Sequence, residues 1–163
     1  MKFIFAFILF LSINSLAFEN ANLQFQDPSG WVKQPTEAGG VNAIYFSVPQ
    51  VKAGKTSAIL LSTTTRRPNK MKPDEFAKQS LATEAKKYKD YKVFGIKNLA
   101  DLKSDHVIKQ FTYTKNNIKY KGLVLLAQSK SNNHLFHFTV GEEFYPTYEA
   151  EVLSVLKSVK IKK

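Results

Sequence analysis

Between Val41 and Val48, Ile44, Phe46 and Val48 interleave with Asn42, Tyr45 and Ser47, the period-two pattern of a half-buried strand. Pro49 and Gly54 mark a turn, and Ser57 to Thr65, rich in β-branched and apolar residues, predicts a second strand. Pro73 followed by Asp74 and Glu75 is a helix-start signal, because proline tolerates the first turn and acids suit the positive end of the helix dipole. Ala77, Leu81, Ala85 and Tyr88 then repeat at steps of four, four and three, which predicts a helix over about 73–89. Strands follow at Lys92–Ile96, His106–Thr114, Ile118–Gln128 and His134–Val140. Asn116-Asn117 and Ser131-Asn132-Asn133 separate the last three, so those strands read as an antiparallel meander. Beyond Pro146, with Thr147 as the cap, Tyr148, Val152, Val155 and Val159 share one helical face.

Ile118 and Tyr120 alternate with Lys119 and Lys121, but Leu123 to Ala127 is apolar throughout. A strand buried on both faces explains that switch, and it implies helices on both sides of the sheet. The expected fold class is therefore α+β, an α/β/α sandwich with a central antiparallel sheet flanked by two main helices. Upstream, Asn22 to Gln26 reads as a short strand closed by the turn Asp27-Pro28-Ser29-Gly30, with Trp31 directly after it.

The first residues change the picture of where the protein works. Lys2, the apolar run Phe3–Leu11 and the small-residue site Ser15-Leu16-Ala17 have the three-part layout of a cleavable export signal over residues 1–17. Ser12 and Asn14 interrupt the run well short of the ~20 apolar residues of a membrane span, so no transmembrane anchor is expected after cleavage. Cleavage after Ala17 leaves residues 18–163 as one domain, periplasmic or secreted. The chain has no cysteine, which excludes disulfides, a thiolate nucleophile and sulfur-ligated metals.

The full chain has 24 Lys+Arg against 13 Asp+Glu; removing the signal takes away Lys2 alone and leaves a formal +10. Such a surface favours anionic partners, and outside the cytoplasm these are a protein or an anionic envelope component, not nucleic acid.

Reactive centres are hard to assemble from these residues. Gly54-Lys55-Thr56 imitates the tail of a phosphate-binding loop, but Pro49 stands where the first glycine belongs and a strand follows instead of a helix. His134 and His137 sit three apart on a predicted strand and so point to opposite faces. There is no Gly-x-Ser-x-Gly elbow for a hydrolase serine, and Glu142-Glu143 read as a solvated approach to the last helix. No catalytic residue, cofactor or metal is assigned. Aromatic and cationic residues near turns make the best binding candidates: Trp31, Arg66, Arg67, Phe144 and Tyr145.

Phe25-Gln26-Asp27-Pro28-Ser29-Gly30-Trp31 resembles the opening of the PsbP/DcrB-like superfamily, and Asp74-Glu75-Phe76-Ala77 resembles the start of its helix. The similarity continues through Tyr113–Gly122, Leu135–Val140 and Val155-Leu156-Lys157-Ser158-Val159, nearly the whole predicted domain. This resemblance implies the same sandwich and no shared catalytic residue. It also implies an accessory, adaptor or chaperone-like role, as in the extrinsic photosystem II subunit, a Ran-binding import factor, bacterial envelope proteins and chaperones of type VI secretion effectors. The expectation is a non-enzymatic binding protein of the bacterial envelope. The alternatives are an immunity or inhibitor protein neutralising an envelope toxin, and a cell-wall or lipid hydrolase whose site assembles only in three dimensions.

Overall fold

The computed structural model describes residues 17–21, 23–37, 39–47, 58–66, 71–95 and 106–162. The segment 1–16, the Pro49–Gly54 turn, the Gly54-Lys55-Thr56 stretch and Arg67 lie outside the described residues. The strands are β1 (Ala17–Glu19), β2 (Leu23–Gln26), β3 (Val32–Gln34), β4 (Val41–Phe46), β5 (Ile59–Arg66), β6 (Lys89–Gly95), β7 (His106–Lys115), β8 (Ile118–Gln128), β9 (Asn132–Gly141) and β10 (Lys160–Ile161). The helices are α1 (Pro73–Ala85), between β5 and β6, and α2 (Tyr145–Lys157), between β9 and β10. The class is α+β. Seven strands form one sheet in the order β3-β4-β5-β9-β8-β7-β6, and β1-β2-β10 form a smaller one; neighbouring strands in both pair antiparallel. Among the described residues no helix is long and apolar enough to cross a membrane.

The meander forms as expected. Asn116 and Asn117 both take positive φ, 50° and 60°, the conformation a two-residue hairpin turn requires and asparagine tolerates. They set Lys115 opposite Ile118, and that register carries Phe111 to Gly122 and Ile108 to Leu125. The apolar run of β8 divides by parity. Leu123 and Leu125 join the main core with Phe136 and Phe138 of β9 and with Val152, Val155 and Leu156 of α2. Val124 instead packs with Leu81 of α1, Phe111 and Tyr113. Successive residues of a strand point to opposite faces, so α1 and α2 draw on opposite sides of β8.

Four details depart from the sequence pattern. First, α1 stops at Ala85 and not near residue 89, because the next residues join the sheet: Lys89 pairs with Thr114, and Asp90 takes φ 54° at a register shift. Tyr88, expected on the helical stripe, stacks on Tyr113 from beyond the helix, with ring centroids 4.3 Å apart. Second, α2 begins at Tyr145 after a 3₁₀ turn, Glu142–Phe144, so Thr147 lies inside the helix and Pro146 occupies the first turn, where no N–H is needed. Third, β4 buries Ala43 and Tyr45, and Ser47 directly after it, in place of Ile44 and Phe46, which stay half-buried. Tyr45 donates a 2.6 Å hydrogen bond to Asp27 Oδ1, and Ser47 Oγ accepts from the Ala58 N–H, so both polar handles are satisfied inside. Fourth, β1, β3 and β10 have two or three residues each, too few to show any period.

Candidate functional site

The sequence-derived candidates do not gather at one place. Trp31 is a half-buried anchor: its Nε1 donates to Glu151 Oε2 at 3.0 Å, and its ring meets Tyr148 edge-on at 5.6 Å and Phe138 at 6.4 Å. It ties the β2–β3 connection to α2. Trp31→Phe, which loses the indole donor but keeps most of the apolar contact, is expected to cost about 1 kcal/mol in denaturant unfolding. Partner affinity is expected to stay unchanged, and a tenfold loss would restore Trp31 as a contact residue. Phe144 is partly buried against the main core. Arg66 is exposed at the end of β5, opposite Asn132, six residues and about 20 Å along the sheet from the Leu60–Phe138 pair.

Tyr145 is corrected from surface contact to core. It is 1% exposed, and α2 begins at this residue with the ring turned onto Phe138. Its hydroxyl accepts from Gln110 Nε2 at 3.0 Å and donates to Glu149 Oε1 at 3.1 Å. Burial pushes the phenol up to about 12 against the opposing effect of the Gln110 hydrogen bond. Lys121 Nζ lies 4.4 Å from the centre of this ring, so Tyr145 positions a cation instead of presenting itself.

That cation belongs to a strip that no local sequence pattern assembles. Thr112 stands opposite both Lys92 and Lys121, and Thr114 is paired with Lys89 on one side and Lys119 on the other. Directly paired residues share a face, so Lys89, Lys92, Lys119 and Lys121 line one side of β6, β7 and β8. Asp90 and Glu142 are the carboxylates beside them, and with Lys92, Phe94, Thr112 and Lys119 they border a shallow pocket of about 360 Å³. The Lys119/Lys121 alternation is legible in the sequence, but the contribution of β6 depends on a register set by a bulge between Lys89 and Lys92. The strip is open because α2 lies over β8 and β9, away from β6.

A second opening lies beside α1. Seven strands span about 30 Å and a helix about 10 Å, so α1, which contacts β6, β7 and β8, leaves β5 and β9 only partly covered. A groove of about 670 Å³ results, with Leu61, Leu135 and His137 from the sheet and Phe76, Thr83 and Tyr88 from the helix side. His137 stacks on Phe111, centroids 4.8 Å apart. Burial pushes its imidazole down to about 4; Glu84 opposes that shift and Lys87 adds to it. Phe111 reaches across β8 to His137 because Gly122, directly opposite Phe111, has no side chain in the way.

The two histidines of β9 do point to opposite faces. His134 is fully buried, with Nδ1 3.1 Å from Thr64 Oγ1 and Nε2 3.4 Å from Ser129 Oγ. Burial lowers its pKa. This imidazole joins two hydroxyls, with no carboxylate on either nitrogen among the described residues, which makes it a bridge between β5, β9 and the turn at Ser129. Among the described residues no three His, Asp or Glu side chains gather as a metal site. Glu142 and Glu143 are exposed on the 3₁₀ turn, a solvated approach to α2 as expected.

No protein-family model matches the chain, and no curated protein aligns with it significantly. Solved structures do. LpqN of Mycobacterium tuberculosis, involved in cell envelope biogenesis, superposes with a TM-score of 0.66 at 10% identity over 86% of this chain and 83% of its own. Cyanobacterial PsbP from Synechocystis superposes with a TM-score of 0.60 at 13% identity over 90% and 92%. A Pseudomonas aeruginosa protein of unknown function gives 0.58 at 10% identity over 86% and 92%. At such identities the likeness is one of fold, and it covers nearly all of each partner. The chain is therefore an α+β protein whose fold is similar to that of PsbP.

Proposed function

We propose that this chain is an exported, non-enzymatic accessory protein of the bacterial envelope that docks an anionic macromolecular partner through the lysine strip of β6–β8. The observation that carries this reading is the placement of Lys89, Lys92, Lys119 and Lys121 on one open face, with Lys121 held over the Tyr145 ring. Four lysines against Asp90, Glu142 and the hydrogen-bonded Glu149 leave a net positive field on this part of the sheet that steers an anionic partner. The fold shared with a protein of cell envelope biogenesis supports the setting. An export signal over residues 1–17 fits this reading: Ala17 is exposed at the start of β1, and cleavage after it leaves Phe18 its stack on Phe25 at 4.9 Å. In this reading α1 and α2 form the outer layers of an α/β/α sandwich, each offset so that a different part of the sheet stays open.

The test is capture of the partner from an envelope extract by the mature protein at low and high salt. Affinity is expected to fall at least about tenfold as the screening length shortens from roughly 30 Å to roughly 8 Å. Lys92→Glu with Lys119→Glu is expected to abolish that salt dependence. Salt-independent capture, or full capture by the double variant, would remove the strip from the mechanism.

A further inference from the structure

We infer that β6 receives the partner as an added strand: an extended acidic segment pairs along the outer edge of the sheet at Lys92–Gly95. This inference rests on the anionic-partner reading above and specifies the mode of recognition. Among the described residues the large sheet has two edges, β3 and β6. β3 is three residues long and its Lys33 is engaged, 3.9 Å from Asp27 Oδ2 and 4.9 Å from the centre of the Phe18 ring. A three-residue strand whose lysine is already held within the fold offers an added segment little to pair with. β6 is seven residues long, and no described strand pairs with its outer side.

Its regular stretch, Lys92 to Gly95, lies opposite Thr112 to Lys109. Val93 and Phe94 are 43% and 45% exposed, an unusual pair of apolar side chains for an edge that faces only water. The bulge between Lys89 and Lys92, with Asp90 at φ 54°, ends the straight run and limits the added strand to a few residues.

The pleat dictates the sequence that fits. Lys92 and Phe94 point to the face of Lys119 and Lys121, whereas Val93 points, like Phe111, to the face of α1. A strand lying beside β6 alternates in the same way, so an acidic side chain on one parity meets Lys92, with Lys119 and Lys121 two strands behind it adding to the field, and apolar side chains on the other meet Val93. Backbone hydrogen bonds supply affinity and the alternating contacts supply selectivity, the usual division in strand addition. Charge favours an acidic segment over a second copy of this chain, because an edge-to-edge dimer would bring Lys89 and Lys92 of each copy to one seam with only Asp90 of each to offset them.

The experiment uses the mature protein and three peptides of about six residues. One alternates glutamate and valine, one has the same composition in two blocks, and one alternates but carries N-methyl groups on alternate amides. Polyglutamate in low and high salt reports the anionic-partner reading separately. The alternating peptide is expected to bind and to slow amide exchange within Lys92–Gly95 at least about tenfold, with β3 unaffected. The other two peptides are expected to bind at least about tenfold more weakly, the loss of one or two net hydrogen bonds or of half the side-chain contacts. Lys92→Glu is expected to weaken the alternating peptide by a similar factor. Equal binding of all three peptides, with salt-sensitive polyglutamate binding, would overturn strand addition and leave the electrostatic reading standing. Failure of polyglutamate to bind would overturn both. Sedimentation of the protein alone as a dimer with those amides already protected would assign the edge to a second copy.

Discussion

Replacing Gly122 by alanine is expected to cost about 3 kcal/mol of folding stability and to lower the thermal midpoint by roughly 6–12 °C. Gly122 lies near the middle of the sheet, opposite Phe111 on β7 and Thr139 on β9. A Cβ at this position runs into the Phe138 carbonyl oxygen and the Phe111 ring. The carbonyl belongs to the β8–β9 ladder and cannot move without breaking it. The ring is fully buried, stacked on His137 on one side and 5.8 Å from the centre of Tyr91 on the other. One methyl group thus strains the ladder and the aromatic row together. Gly95→Ala is the control: nothing lies within 4 Å of where its methyl group would sit, and its expected effect is within about 0.5 kcal/mol. Combining Gly122→Ala with Phe111→Leu is expected to recover only part of the loss, because the carbonyl collision remains. Equilibrium unfolding of the wild type and these three variants decides it; a Gly122→Ala cost below about 1 kcal/mol would show that Phe111 has room to move aside.

The same row shows what the sequence can and cannot disclose. Periodicity locates β7, β8 and β9 nearly to the residue, because ten- and eleven-residue strands give several repeats and the Asn-Asn turn has its own signature. It also separates the faces of His134 and His137. Gly122 carries no such signal, since a glycine in a strand is informative only when its cross-strand neighbour is known to be an aromatic ring. Tyr145 misleads for a related reason: a tyrosine at a turn usually offers its hydroxyl to solvent, but here Gln110 and Glu149 satisfy that hydroxyl inside the fold. Tyr88 reads as the last position of the helical stripe, and Tyr91 falls between the expected helix and the expected strand at Lys92–Ile96, so neither shows as part of an aromatic row. Only the pairing of β6 with β7 turns that segment into a sheet edge and aligns Lys89 and Lys92 with Lys119 and Lys121. Long-range register, not local pattern, assembles both the strip and the groove.

Acidification from neutral pH is expected to unload the α1 face, and His137 is the group that reads the proton. Its folded pKa of about 4 lies below the unfolded value of about 6.5, so the unfolded chain takes up the proton first. The stabilisation from keeping this imidazole neutral is complete above about pH 6.5, declines as pH falls from there to about 4, and is gone below. At about 1.4 kcal/mol per pH unit for one proton, the full loss would be about 3.5 kcal/mol, and solvent at the half-buried ring reduces it toward 2. His134, also pushed down by burial, shifts stability in the same direction. The groups that face His137 set the size of the effect: Glu84 favours the protonated ring and Lys87 opposes it, and those two are themselves joined at 2.7 Å. His137→Phe separates this contribution from all others, since it preserves a flat ring for Phe111 to stack on and removes the titration. Denaturant unfolding of both proteins at about pH 7 and about pH 4.5 is expected to show the wild type losing about 2 kcal/mol more than the variant. Parallel losses in the two proteins would mean that water already solvates the imidazole and that the groove floor is wet at neutral pH.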